Sequence, residues 1–288
     1  KNALINTVLL DNDQGKIGLA GQGELQIITT ELKNNTGSIQ SKSNLLIQAQ
    51  QLLSSGVLAA QNLDLQAEQI SNSGQVIAAD TLSLTATSLN NSGLIQAMQA
   101  ALTLVQLTNS GELHGLGTAG DSLLLTTAEL NNSGTIVSKG ENLQLQQLKF
   151  NNNGGSLVHF GQGVLSIEAL NELQNINGKI ITQGDLAVLA EHLNNEKGLL
   201  QAAGNAGIQL DELSNLDGDL LVLGEQQLKL QVNNLLDNSK GRIVAGYLAI
   251  EAKDLLNSEG LLSSASQNAN ALTIDVSGLF SNKDAEVF

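Results

Sequence analysis

The chain of 288 residues contains no cysteine, proline or tryptophan, and it has only one tyrosine and four phenylalanines. Without cysteine there can be no disulfide, no thiol nucleophile and no thiolate metal site. Proline lacks a backbone donor and is excluded from paired strands, so its absence predicts that nearly every segment joins a hydrogen-bonded ladder. Because aromatic residues are so few, the core must be built from leucine, isoleucine, valine and alanine.

Positive charge and long apolar runs are also scarce. The 13 lysines and arginines are outnumbered by 28 aspartates and glutamates, which gives a net charge of −15. This balance argues against nucleic acid and against an anionic membrane surface as partners. No apolar run approaches the roughly 18 residues that a membrane-spanning helix needs, so no membrane insertion is expected.

Both ends of the chain fall within the pattern described below. The chain begins Lys1-Asn2-Ala3 without a signal sequence, and it ends inside a repeat at Phe288. We therefore expect residues 1–288 to be a single repeat array from the interior of a larger protein, without caps, secretion domain or toxin domain.

An internal repeat dominates the sequence. A frame of an apolar residue, any residue and then asparagine recurs fourteen times at spacings of 18 to 25 residues, and only Ser54 departs from asparagine. A glycine follows each of the first thirteen frames after two or three residues, and an aliphatic residue stands two positions beyond it. An alternating run such as Leu82–Ala86 then completes the unit. Short runs of period two, separated by turn residues, are typical of strands.

Strands this short can bury their apolar faces only when similar units stack in register. The sequence therefore predicts an all-β fold, a right-handed parallel β-helix of about 13 coils of about 20 residues, with a length of roughly 60–65 Å. The corner glycine is predicted to supply a positive φ. The frame asparagine, turned inward, is predicted to pass a hydrogen bond to the next coil. The predicted ladder residues are Asn12, Asn34, Asn72, Asn91, Asn109, Asn132, Asn152, Asn175, Asn195, Asn215, Asn238 and Asn257.

The unit L-x-N-x-x-G-x-I-x-A…L-x-L-x-A-x-x-L, as in Leu236–Leu255, resembles the haemagglutinin repeat of filamentous haemagglutinins and contact-dependent growth inhibition effectors. The resemblance covers nearly the whole chain. It implies a non-enzymatic filament shared by adhesins, haemolysins and toxin-delivery proteins, secreted or held at the bacterial cell surface. It also implies export by two-partner secretion, in which an outer-membrane transporter acts through an amino-terminal domain that this sequence lacks.

A glycine-rich segment and three histidines could indicate ligand sites. Residues 115–120 match the dinucleotide pattern G-x-G-x-x-G, but that pattern requires a following helix, and residues 123–127 read as a strand. A flexible, longer corner is the favoured interpretation. His114, His159 and His192 fall in different coils, so a shared metal site is not favoured. We expect His159 at an inward position and His114 at an outward one.

Acidic residues and glycosylation sequons are the remaining candidates. Asp211, Glu212, Asp217 and Asp219 form the densest acidic group, which could supply acid–base catalysis or hold calcium. Without clustered basic and aromatic residues, a solvated corner is favoured, with Asp217 in the turn. Three sequons begin at Asn34, which is predicted to point inward, and at Asn90 and Asn131, which are predicted to point outward. No catalytic, cofactor-binding or metal-binding residue is therefore predicted.

Three functions remain open at this point. The leading hypothesis is a stalk that projects a distal adhesin or toxin-delivery module from the cell. The second is an adhesive module that binds a host glycan or receptor through one face or the longer corners near 115–122, 155–164 and 264–271. The third is a β-helical polysaccharide lyase or hydrolase. The uniform repeats and the scarcity of aromatic residues favour the stalk.

Overall fold

The computed structural model describes residues 2–288, and every regular element in this range is a β-strand. None of these residues forms a helix that could cross a membrane. The chain divides into two compact units, Lys1–Gly140 (unit 1) and Glu141–Phe288 (unit 2). Each unit is a parallel β-solenoid in which a strand pairs with its counterpart one turn later in the chain.

In unit 1 the pairing keeps equivalent positions of the repeat opposite each other. Leu45, for example, pairs with Leu25 in the turn before it and with Leu63 in the turn after it. The strands of unit 1 are β1 (Ala3–Asn6), β2 (Leu9–Asp11), β3 (Lys16–Leu19), β4 (Glu24–Ile28), β5 (Glu31–Asn34), β6 (Ser38–Ser41), β7 (Asn44–Gln48), β8 (Gln51–Ser54), β9 (Val57–Asn72), β10 (Gln75–Asn91), β11 (Leu94–Ala97), β12 (Gln99–Asn109), β13 (Glu112–Gly115), β14 (Leu123–Thr126), β15 (Glu129–Asn132) and β16 (Thr135–Ser138).

Unit 2 repeats the same arrangement, with Leu200 paired to Ile180 on one side and Leu220 on the other. Its strands are β17 (Leu143–Asn151), β18 (Ser156–His159), β19 (Val164–Gln174), β20 (Lys179–Thr182), β21 (Asp185–Asn194), β22 (Leu199–Ala202), β23 (Ala206–Ser214), β24 (Asp219–Val222), β25 (Gln227–Asp237), β26 (Arg242–Ala245), β27 (Tyr247–Leu256), β28 (Leu261–Ser264), β29 (Leu272–Val276), β30 (Phe280–Ser281) and β31 (Glu286–Val287).

The cores of both units are columns of aliphatic side chains, because alternate residues of each strand point inward. The column that follows the corner glycine of unit 2 consists of Leu157, Ile180, Leu200, Leu220, Ile243 and Leu262, none more than 1% exposed. Full burial of one such side chain stabilises the fold by about 1.5–3 kcal/mol. That burial requires a neighbouring turn on each side, so stacking, and not any single turn, holds the fold together.

The corner between the frame asparagine and the glycine has two lengths. In a long corner, such as Asn195-Glu196-Lys197-Gly198, the amide of the glycine donates to the carbonyl of the asparagine at 3.0 Å, as in a β-turn. In a short corner, such as Asn91-Ser92-Gly93, the amides of Ser92 and Gly93 instead donate to the carbonyl of Asn72, one turn earlier. Long corners end at Gly15, Gly37, Gly155, Gly178, Gly198, Gly218, Gly241 and Gly260, and short corners at Gly56, Gly74, Gly93, Gly111 and Gly134.

The prediction that the corner glycine takes a positive φ holds only at Gly154, whose φ is 67°, and is wrong at the other corners. In seven long corners the positive φ, between 52° and 59°, belongs to the residue before the glycine: Gln14, Thr36, Asn177, Lys197, Asp217, Lys240 and Glu259. Glycine is required for a different reason. A Cβ on Gly198 would overlap the carbonyl oxygen of Asn175 and would lie 2.5 Å from Oδ1 of Asn195. The missing side chain therefore allows adjacent turns to approach at the corner.

The predicted parallel β-solenoid with a period near 20 residues is confirmed. The frame recurs seven times in each unit, which makes about 14 turns where the sequence predicted about 13 coils. The handedness of the helix stays a prediction, as does the interpretation of residues 1–288 as one interior array.

Candidate functional site

In unit 2 the frame asparagines form a continuous chain of side-chain hydrogen bonds. Nδ2 of each asparagine donates to Oδ1 of the next at 2.7–2.8 Å, and the chain runs through Asn152, Asn175, Asn195, Asn215, Asn238, Asn257 and Asn282. The first six of these side chains are at most 1% exposed. All the donors point towards the following turn, so the ladder has one direction.

The first six asparagines of this ladder satisfy their amides in the same way. Besides the bond to Asn215, Nδ2 of Asn195 lies 3.2 Å from the carbonyl oxygen of Gly198 and 3.1 Å from that of Asp219 in the next turn. An aspartate at this position would lack the donor, and a leucine would lack both donor and acceptor. This double requirement explains why asparagine recurs at a position surrounded by core residues.

In unit 1 the ladder is interrupted once. Asn12 donates to Asn34 at 2.8 Å, and Asn34 then donates to the hydroxyl of Ser54 at 3.2 Å. The bonding resumes at 2.8 Å through Asn72, Asn91, Asn109 and Asn132. Oδ1 of Asn72 is buried without a hydrogen-bond partner because the shorter serine side chain does not reach it. The sequence prediction did not foresee that Oδ1 of Asn72 would be unpaired. The signal for it was Ser54, the one frame position that is not asparagine.

Two further buried polar residues were not predicted. Both amide atoms of Gln147 lack a hydrogen-bond partner, although the side chain is only 2% exposed and pairs by register with Ala169. Ser122 is fully buried, and its Oγ accepts from the amides of Lys139 and Gly140 at 3.1 and 2.8 Å. Ser122 thereby closes the corner that follows the glycine-rich segment, and we infer a structural role for it.

The glycine-rich segment 115–120 lies between two strands. It begins at the last residue of β13 and ends before β14, so the helix that a dinucleotide-binding turn requires is replaced by a strand. A Cβ on Gly117 would lie 2.7 Å from the carbonyl oxygen of Met98, which shows that backbone packing accounts for this glycine.

The three histidines lie on different turns and have different surroundings. His159 is fully buried, and its Nδ1 lies 2.9 Å from Oγ1 of Thr182. His114 is partly buried, with Nε2 3.5 Å from Glu112; burial lowers its pKa more than the carboxylate raises it. His192 is exposed, and its Nδ1 lies 3.3 Å from Glu212. Residues 2–288 contain no group of three histidine or carboxylate side chains arranged to hold a metal ion.

The four acidic residues have separate partners. Asp211 accepts from Asn233 at 2.6 Å, Glu212 pairs with His192, and Asp219 lies 3.6 Å from Arg242. Asp217 stands at the positive-φ position of a long corner. These carboxylates are therefore distributed over strands β23 and β24 and the corner between them.

The remaining candidate sites are the three glycosylation sequons and two shallow depressions on the surface. Asn34 is buried in the ladder, whereas Asn90 is exposed and Asn131 partly exposed. Unit 1 has a shallow depression over Gly18, Ala59 and Ile77, and unit 2 has one over Ala187 and Gly207. Their floors are made of outward-facing strand residues, several of them small.

A comparison with known families gives one assignment. A family model described as the haemagglutinin repeat matches residues 6–67, 54–117, 105–147 and 115–177, which together span 6–177, more than half of the chain. A search of curated proteins and a search of solved structures each gave no match. The same frame and the same asparagine rungs continue beyond residue 177 to Asn282. The chain therefore belongs to the haemagglutinin-repeat family.

Proposed function

We propose that this chain is a non-enzymatic shaft segment of a secreted bacterial surface protein, and that it holds a distal adhesin or toxin-delivery module away from the cell. The observation that carries the proposal is the unbroken asparagine ladder of unit 2, which runs through seven consecutive corners beside fully buried aliphatic columns. Within unit 2 each turn is joined to the next by the same kinds of backbone, core and asparagine contacts. Such a structure gains length and stability turn by turn, which suits a spacer.

The composition supports folding after export. A chain without cysteine needs no disulfide formation, and one without proline has no slow prolyl isomerisation step. A chain that crosses an outer membrane unfolded through a two-partner secretion transporter would benefit from both absences. Members of the family typically occur in secreted or surface exoproteins. These absences and the family's usual occurrence support the proposal that the protein acts outside the bacterial cell and is exported by such a transporter.

A second candidate function is glycan or receptor binding. The depression of unit 2 is bordered by Glu168, Gln209 and Gln231, whose carboxylate and amide groups could bond sugar hydroxyls. Binding of the chain to a glycan array, lost on Gln209→Ala, would favour this alternative.

The test of the shaft is the removal of whole turns from the parent protein in its producing cell. Deletion of Asn195–Asp237 joins Asn194 directly to Asn238, which restores the frame because Asn194, Ser214 and Asp237 occupy equivalent register positions. Asn175 would then donate to Asn238. We expect normal surface display and largely retained adhesion or killing of target cells. Normal display with lost activity would contradict the shaft and indicate a binding face within these turns.

The matched control is a deletion that ends within a turn. Removing Asn195–Gln226 joins Asn194 to Gln227, so that a frame strand is followed directly by β25 without the intervening corner and strand. The core columns would then be out of register, and we expect loss of both display and activity.

A further inference from the structure

The one frame position that is not asparagine lies inside the ladder of unit 1. Ser54 is 3% exposed and pairs by register with Asn34 in the turn before it and with Asn72 in the turn after it. Its hydroxyl accepts the hydrogen bond from Asn34, but Oδ1 of Asn72 is buried without a partner. A buried acceptor without a donor is costly, and such groups in folded proteins are normally bonded to protein or to ordered water.

The backbone around Ser54 keeps the spacing of the other short corners. The amide of Ser73 lies 2.8 Å from the carbonyl oxygen of Ser54, and the amide of Ser92 lies 2.8 Å from that of Asn72, one turn later. Adjacent turns are therefore no closer at the serine than at an asparagine. Because serine has two fewer side-chain heavy atoms than asparagine, room for about one water molecule remains where an asparagine would hold its amide nitrogen.

The other short corners show which atoms surround that position. Nδ2 of Asn91 contacts three oxygens: the carbonyl of Gly93 at 3.2 Å, Oδ1 of Asn109 at 2.8 Å and the carbonyl of Glu112 at 3.1 Å. Nδ2 of Asn72 makes the equivalent three contacts. The position is therefore one at which a donor meets several acceptors.

At Ser54 the equivalent oxygens are Oδ1 of Asn72 and the carbonyls of Gly56 and of Gln75, which follows the next corner glycine. The hydroxyl of Ser54 is a fourth polar group, because its proton is not used in the bond that it accepts from Asn34. We propose that a single buried water molecule binds among these four groups. It accepts from the hydroxyl and donates to Asn72 and to one of the carbonyls, which gives the roughly three bonds typical of a buried water.

The chemistry of the position selects water over a dry cavity and over a cation. Cavities that stay dry are lined by apolar side chains, whereas this position is surrounded by oxygens. Na⁺ or K⁺ would bring a charge into a buried position whose four oxygens are all neutral, which is costly. A shallow depression over Ser55, Gly56, Ser73 and Gly74 adjoins the corner and gives the water a short route to solvent.

The water would carry the direction of the ladder across the serine. Asn34 donates to the hydroxyl of Ser54, the hydroxyl donates to the water, and the water donates to Asn72. Every donor then points towards the following turn, as in unit 2. The ladder of unit 1 thereby becomes continuous from Asn12 to Asn132 through one solvent molecule.

The first test is a crystal structure of the full chain at a resolution that shows ordered water. We expect one density peak about 2.8 Å from Oδ1 of Asn72 and from the hydroxyl of Ser54. The absence of a peak would overturn the proposal, as would an Asn72 side chain turned so that its Oδ1 pairs with a protein donor. An anomalous signal at this position after soaking in rubidium chloride would also overturn it, because the site would then hold a monovalent cation.

The second test counts long-lived internal waters in solution by oxygen-17 magnetic relaxation dispersion. Ser54→Asn supplies the amide covalently and should lower the count by about one relative to the unaltered chain. The matched control, Ser73→Asn, makes the same change at an exposed corner residue and should leave the count unchanged. A folded Ser54→Asn chain that keeps the full count, or an equal loss in Ser73→Asn, would contradict the proposal. The crystal structure needs no variant, so it decides even if Ser54→Asn does not fold.

Discussion

The short corners of unit 1 and the long corners of unit 2 solve the same geometric problem differently. The long corner closes on itself with a bond such as that from Gly198 to Asn195, and it carries a non-glycine residue at positive φ. That conformation costs about 1–2 kcal/mol for a residue with a Cβ. The short corner avoids this cost, but its amides depend on the turn before it, as Ser92 depends on Asn72. The long corner therefore gains one bond within itself at the cost of strain, although its other amides still depend on a neighbouring turn, as the amide of Lys197 depends on the carbonyl of Leu216.

Both corner types require glycine because of close approach between turns, and this requirement should give the largest effect. We predict that Gly198→Ala lowers the free energy of unfolding by about 4 kcal/mol or prevents folding, because a Cβ would overlap the Asn175 carbonyl. Gly93→Ala should cost as much, since its Cβ would overlap the Gly74 carbonyl.

Lys197→Gly should instead be neutral or stabilising by up to about 1 kcal/mol, because it relieves the positive φ. The free energies of unfolding are measured by chemical denaturation. A strongly destabilising Lys197→Gly would contradict the assignment of strain to the positive φ of Lys197.

The asparagine rungs should matter more beside short corners. Asn195→Ala leaves Oδ1 of Asn215 without its donor and removes the shortest of the three contacts of the Asn175 amide, at a cost of about 2 kcal/mol. Asn91→Ala removes the equivalent bonds to Asn72 and Asn109 in a corner that lacks its own turn bond, so we expect about 3 kcal/mol. Gln209→Ala, an exposed outward change, should stay within about 0.5 kcal/mol. If Asn195→Ala and Asn91→Ala lowered the free energy of unfolding equally, short and long corners would not differ in how much they depend on the asparagine ladder.

Completing the ladder of unit 1 should stabilise it. In Ser54→Asn the new amide can accept from Asn34 and donate to the unpaired Oδ1 of Asn72, so we expect a gain of about 1 kcal/mol in the free energy of unfolding. The control, Ser73→Asn, makes the same chemical change at an exposed corner residue and should have no measurable effect. No gain from Ser54→Asn would mean that the corner cannot accommodate the longer side chain.

The smallest effect concerns pH and the partly buried His114 near the short corners. Its pKa lies below the ordinary 6.5 because burial disfavours the charged ring. The unfolded chain therefore binds the proton more readily, so stability is fully present above pH 6.5 and declines as the pH falls below it. The neighbouring outward residue by register is Gln96, and His114→Gln should reduce this decline between pH 6.5 and pH 5. An identical pH profile for both chains would rule out a contribution from His114.

The sequence predicts the parts of this fold that repeat. The asparagine frame, the glycine and the aliphatic residue two positions later identify strands and inward columns, because each recurs with the turn. The positive φ was assigned to the wrong residue because a recurring glycine has two possible causes. It can allow a positive φ, or it can allow neighbouring turns to approach closely, and the sequence alone does not distinguish the two.

The outward surface was harder to predict for a physical reason. Pairs such as Ile180-Ile181 and Leu220-Leu221 place apolar residues on both sides of a strand, so period two no longer distinguishes inside from outside. Gln147 and Ser122 were missed because each occurs once and breaks a column instead of forming one.

The central claim is that whole turns are equivalent structural units, and the most direct test is denaturation of the purified chain with two deletions. We expect deletion of Asn195–Asp237 to leave one cooperative unfolding transition and an unchanged β signal per residue in circular dichroism. Deletion of Asn195–Gln226, which removes fewer residues but breaks the register, should unfold at a much lower denaturant concentration and expose apolar surface to a hydrophobic dye. If both deletions fold equally well, or if both fail to fold, the turns are not equivalent units and the account is contradicted.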